Sequence, residues 1–94
     1  MAHIYITAAP GLTIDNFRAV CAKHIPPQDI DGLLAWAAGT DNDGLHVMTV
    51  WQSKAHQDRW AAEQLFPAFQ ALGMTDKMSD AQFTEYDADE FYLR

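Results

Sequence analysis

The amino-acid sequence predicts an α+β fold of order β-α-β-β-α-β, in which two helices cover one face of a four-stranded antiparallel sheet. Three observations point to it. Two apolar runs, Leu33 to Ala38 and Leu45 to Trp51, flank the polar segment Gly39-Thr40-Asp41-Asn42-Asp43-Gly44, which is the pattern of a β-hairpin. Ser53 follows the second run almost at once and opens a stretch whose apolar residues recur at helical spacing. A further stretch of helical period, Ile14 to Ile25, lies between a β-rich N-terminal segment and the hairpin.

His3 to Ala8 alternates β-favouring residues and stops at Pro10-Gly11, giving a first strand closed by a turn. Thr13 then caps a helix whose apolar positions Ile14, Phe17, Val20, Cys21 and Ile25 are three and four residues apart. Pro26-Pro27 ends that helix, because neither ring supplies an N–H and each pushes its predecessor toward extended geometry. In the hairpin, the Asp43-Gly44 step suits positive φ. The Ser53 hydroxyl can accept from an orphan N–H of the next turn, so the second helix starts at Lys54. Its apolar side is Ala55, Trp60, Ala61, Leu65, Phe66, Phe69 and Leu72, with a kink or restart at Pro67 and an end at Gly73. Phe83 to Tyr86, continued through Phe91 to Leu93, supplies the last strand, completing a ferredoxin-like plan.

Composition narrows the function. Ninety-four residues hold one domain spanning 1–94 and no second core. A net charge of -7, from six basic and thirteen acidic residues, argues against a nucleic-acid partner, which would need clustered Lys and Arg. Cys21 is the one cysteine, which excludes an internal disulfide and a thiolate zinc cluster; on the apolar stripe of the first helix it reads as a small hydrophobe. The opening Met-Ala-His-Ile-Tyr-Ile is no secretory signal, and no apolar run approaches the roughly 20 residues of a membrane span, so the expected location is the cytoplasm, with no membrane partner. Leu33 to Ala38 contains no polar residue, so both faces of that strand are expected to be buried. A homodimer joined through the sheet face is the simplest cover.

Thr49-Val50-Trp51-Gln52-Ser53-Lys54, with Trp60 seven residues beyond Ser53, resembles the strand-to-helix segment of the dimeric α/β barrel families. Among these are the antibiotic biosynthesis monooxygenases and the bacterial heme-degrading monooxygenases. The resemblance implies that Trp60 faces a cleft between helix and sheet. In the heme-degrading branch the iron-ligating His comes ten residues after that Trp, where this chain has Gln70; a first-strand Asn falls near Thr7, and a Phe stands where this chain has Gln57. An amide oxygen is a poor axial ligand for heme iron, so the resemblance does not extend to heme degradation. It implies instead a small-molecule enzyme like the antibiotic biosynthesis monooxygenases, which commonly use no metal or organic cofactor and oxidise aromatic or polyketide-like compounds. The alternatives are a non-catalytic ligand-binding or stress-associated protein, and an isomerase or cyclase of the same fold.

Trp60, Gln70 and Thr7 are on this reading the residues that bind a small apolar or aromatic ligand. Trp60 offers a flat apolar face and one N–H donor, and competes with a purely core role. His46 shares a strand face with Met48 and Val50 and would serve as acid or base if that face lined the cleft. Tyr5, on a face with His3 and Thr7, could position a substrate oxygen. His46 and Tyr5 are thus the catalytic candidates. The histidines at 3, 24, 46 and 56 show no H-x-x-x-H spacing, so no metal site is expected. Trp51 reads as a plug at the strand-to-helix junction, and Asp87, Asp89 and Glu90 as a solvated tail.

Overall fold

The computed structural model describes residues 2–24, 30–74, 76 and 80–92, and of residues 20–24 the backbone alone. The proposed helix stop at Pro26-Pro27, Ile25 and Leu93 lie outside the described residues, as do the side chains of Val20, Cys21 and His24. Strands β1 (His3–Ala9), β2 (Leu33–Asp41), β3 (Gly44–Trp51) and β4 (Gln82–Asp87) form one sheet in the order β2-β3-β1-β4. Every neighbouring pair is antiparallel, with Thr7 opposite Val47 on one side and Phe83 on the other. Helix α1 (Ile14–His24) joins β1 to β2; α2 (Lys54–Trp60), a π-helical turn (Ala61–Leu65) and α3 (Phe66–Ala71) join β3 to β4. The predicted order of elements is the observed one.

The caps explain the helix ends. The Thr13 hydroxyl accepts from the Asn16 N–H (3.2 Å) while the Asn16 side-chain oxygen accepts from the Thr13 N–H (2.9 Å), a reciprocal closure of the first turn of α1. Ser53 Oγ accepts from the His56 N–H at 3.3 Å, so α2 does begin at Lys54. Pro67 has no N–H to give a carbonyl four residues back, and the helix relaxes into the π turn just before it, where the Phe66 N–H bonds the Ala61 carbonyl five residues back. Gly73, at φ +68°, ends the helix: the Met74 N–H reaches the Phe69 carbonyl (2.9 Å) and the Gly73 N–H that of Gln70 (3.1 Å).

Three boundaries differ from expectation. The hairpin strands pair out to Asp41 and Gly44, leaving a turn of only Asn42-Asp43. Gly44 adopts φ +108°, and a Cβ there would lie 2.6 Å from Pro10 Cα, so a side chain is excluded twice over. The last strand stops at Asp87 instead of running through Phe91; just past its end the Ala88 N–H still bonds the Ala2 carbonyl at 2.7 Å. β2 carries a register shift between Leu33 and Ala35.

The alternation of the strands sorts their side chains onto two faces. Tyr5, Thr7, Leu45, Val47, Thr49, Trp36 and Phe83 point toward the helices. Ile4, Ile6, Met48, Val50, Ala37 and Tyr86 belong to the opposite face, which no helix or strand of the described residues packs over; Met48 is 44% and Tyr86 49% exposed. The core lies between sheet and helices. One cluster joins Ala9, Leu12, Phe17, Leu45, Ala68 and Phe69, and a second centres on Ile30 and the fully buried Trp51. No helix of the described residues is long and apolar enough to cross a membrane.

Candidate functional site

The two clusters do not meet perfectly, and the gap between them is a slot under the helices. Its floor is Tyr5, Thr7, Trp36, Val47 and Thr49 from the sheet; its roof is Phe17 from α1 with Gln57, Trp60, Leu65 and Phe69 from the second helical segment; Phe83 of β4 stands at one side. The unoccupied space is about 510 Å³ counted out to the open mouth. The cavity is narrow and lined mainly by aromatic and aliphatic side chains. Three aromatic pairs pack in and around it: Phe17 on Trp36 (5.2 Å between centroids), Trp51 on Trp60 (5.4 Å) and Tyr5 on Phe83 (5.8 Å). Of the lining residues Phe83 alone is exposed, so the slot opens along the β4 edge.

The polar groups of the slot are neutral hydrogen-bonding groups. Trp51 donates its indole N–H to Thr49 Oγ1 at 2.8 Å, which fixes the Thr49 hydroxyl, and that hydroxyl reaches the Tyr5 carbonyl at 3.4 Å. The indole N–H of Trp60 is buried and has no hydrogen-bond partner among the described residues. Gln57, one helical turn earlier, is 3% exposed and brings a primary amide to the same roof. Burial holds the Tyr5 phenol above its ordinary range; Glu85 and Asp58 reinforce this and Lys54 partly offsets it. Tyr5 thus stays a protonated donor at neutral pH.

The sequence-predicted residues divide. Tyr5, Thr7 and Trp60 come together in the slot. His46 does not: Val47 and Thr49 face the helices, so His46 is turned to the uncovered sheet face, where its Nε2 lies 3.0 Å from Asp41 Oδ2 at the hairpin end. Its proposed acid–base role in the cleft is corrected accordingly. Gln70 is exposed on α3 and outside the slot lining, which corrects its assignment as a ligand contact. The π turn accounts for this. Ten residues along an ideal α-helix end about 80° from the starting face, but a turn that absorbs one extra residue leaves Gln70 about 180° from Trp60. Gln57, which the resemblance set where relatives carry a Phe, lines the slot; Trp36 and Phe83 were missed as site residues, and their place opposite Thr49 and Thr7 in the strand register shows only once the strands are paired. Among the described residues no three His, Cys, Asp or Glu side chains gather as a metal site.

No protein-family model and no curated protein matches the chain. Solved structures do. A protein from Deinococcus radiodurans, provisionally assigned as an antibiotic biosynthesis monooxygenase, aligns over 100% of this chain and 98% of its own with a TM-score of 0.64 and 19% identity. SnoaB, a cofactor-independent oxygenase from Streptomyces nogalater solved as a mutant, aligns over 99% of this chain and 97% of its own with a TM-score of 0.63 and 16% identity. The chain has the fold of the antibiotic biosynthesis monooxygenase-like proteins. A monooxygenase of the same fold from the ActVA-Orf6 gene of Streptomyces coelicolor, in complex with nanaomycin D, aligns over 99% of this chain and 91% of its own with a TM-score of 0.62 and 12% identity.

Proposed function

We propose that the protein is a small-molecule enzyme of the cofactor-independent monooxygenase kind, acting on an electron-rich aromatic or polyketide-like compound held in the slot. The observation that carries this is the unpaired Trp60 indole N–H in the roof of a narrow, aromatic-lined cavity. A buried donor without a partner is costly, and a flat ligand that presents a carbonyl or phenolate oxygen there relieves the cost. The neighbours named as oxygenases share the fold and so support the class without fixing the substrate.

Tyr5, Gln57 and Trp60 can all donate hydrogen bonds, and no lining side chain is basic at neutral pH. The slot therefore stabilises a substrate anion; the substrate loses its proton to solvent at the open edge. The anion gives one electron to O₂, the resulting radical and superoxide combine to a hydroperoxide, and loss of water leaves a carbonyl. For a methylene substrate the balance is R₂CH₂ + O₂ → R₂CO + H₂O. The protein lowers the barrier by fixing the anion's charge against preorganised donors. The homodimer belongs to the same proposal: Ile4, Ile6, Met48 and Tyr86 form the face on which a second copy would sit.

Oxygen uptake with a panel of anthrones and quinols tests the reading. Protein-dependent uptake above autoxidation, with one water formed per O₂, supports it. Tight binding of the panel without uptake supports the non-catalytic binder, a reading favoured by the absence of a base in the lining. An isomerase or cyclase would need an acid–base pair, which the outward His46 and the neutral Tyr5 do not supply.

A further inference from the structure

The open edge of the slot carries a charge pattern that the lining does not. Glu85 lies opposite Tyr5 in the β1–β4 register, two residues along the strand from the exposed Phe83, on the same face. Asp58 follows Gln57 on α2. The cation at this edge is Lys54, and it is shared: its Nζ lies 2.9 Å from Glu85 Oε1 and 3.1 and 3.0 Å from the two oxygens of Asp58. His3 sits beneath, with Nδ1 3.0 Å from Asp87 Oδ1 and its unpartnered Nε2 3.7 Å from Glu85 Oε2. Arg59 turns away, 3.8 Å from Asp31. Among the described residues one cation, Lys54, thus meets two carboxylates, Glu85 and Asp58, at the mouth, while Asp87 pairs with His3.

We infer that the slot selects uncharged aromatic ligands over carboxylate-bearing ones of the same shape, with Glu85 and Asp58 as the selecting residues. The inference rests on the slot being the ligand site. Among the described residues a ligand carboxylate at the mouth meets no cation free of an acidic partner and is repelled by the excess negative charge, whereas a phenol or ketone meets only donors. For net repulsion by about one charge at a partly hydrated site, the discrimination is about tenfold, and it shrinks as salt screens the mouth.

The test is a matched pair, 2-naphthol and 2-naphthoate, titrated at pH 7 while the indole N–H signal of Trp60 is followed by ¹H–¹⁵N NMR. The three indole signals are assigned with Trp60→Phe and Trp51→Phe variants. Naphthol shifting the Trp60 signal with a Kd about tenfold below that of naphthoate supports the inference. So does narrowing of the gap in 1 M salt and in Glu85→Gln or Asp58→Asn, exposed-rim changes that leave the core intact. Naphthoate binding as tightly as naphthol, or a gap indifferent to salt and to both variants, overturns it while leaving the slot as the ligand site. If neither compound moves the Trp60 signal, the slot is not a site for flat aromatics and both readings fall.

Discussion

Thr49→Val keeps the volume and β-branching of the side chain and deletes one oxygen. In the folded protein that oxygen accepts the indole N–H of Trp51 at 2.8 Å, and the donor side is fully enclosed: Trp51 is 0% exposed, with Thr49 at 6%. The substitution leaves a buried donor with nothing to bond, a penalty of about 1–3 kcal/mol. In a chain of this size each kcal/mol moves Tm by roughly 4–8 °C, so a mid-range penalty lowers Tm by roughly 8–16 °C. Urea unfolding at fixed protein concentration measures the loss without confusing it with a change in association. The decisive control is the same change in a Trp51→Phe background, where no indole N–H remains to be orphaned. There Thr49→Val should cost little, giving a coupling energy of about 1–2 kcal/mol between the two positions. A Thr49→Val protein as stable as the parent, or one equally destabilised with and without the indole, would refute the argument that this bond anchors Trp51 beneath Trp60.

Two further outcomes follow from the same geometry. Because burial raises the Tyr5 phenol above the ordinary tyrosine value of 10.0, the folded state holds that proton more tightly than the unfolded chain. Its contribution to stability is complete below the unfolded value and is lost as the pH rises through the folded one. In an absorbance titration of the three tyrosines, Tyr5→Phe should remove the last phenolate to form; removal of an early one would contradict the assignment. On the uncovered sheet face, Ile6→Glu or Met48→Lys should dissociate the proposed homodimer or unfold it, since an unpaired charge between packed sheets costs several kcal/mol. A parent protein that sediments as a stable monomer at micromolar concentration would end the dimer proposal.

Much of the fold was legible because local chemistry and global pattern agree. Thr13 and Ser53 are capping residues at true helix starts, Gly44 and Gly73 are at positive φ, and the apolar runs mark β2 and β3. The site was legible only in part. The sequence shows that His46 shares a face with Met48 and Val50, but Leu45, Val47 and Thr49 make the other face as apolar. Nothing in the alternation says which one meets the helices. Gln70 misled for a different reason: its phase relative to Trp60 depends on a π turn, and helical periodicity assumes there is none. Gln57 was legible only through the resemblance, since a polar side chain on a helix is ordinarily solvated, and only tertiary packing buries it to 3%. The charge on the mouth was legible only in part: Lys54 and Asp58 meet one turn apart on α2, but Glu85 joins them only when β4 pairs with β1.

The central claim is that Trp60 serves the substrate anion through its N–H and not merely through its ring. Trp60→Phe separates the two, since Phe retains an aromatic surface and lacks the donor. With an anthrone that the parent protein oxidises, kcat should fall about 10- to 100-fold, the worth of one hydrogen bond to a charged oxygen, while the Kd for the neutral form changes far less. An unchanged kcat, or a loss confined to binding, would show that the unpaired indole N–H has no part in the reaction.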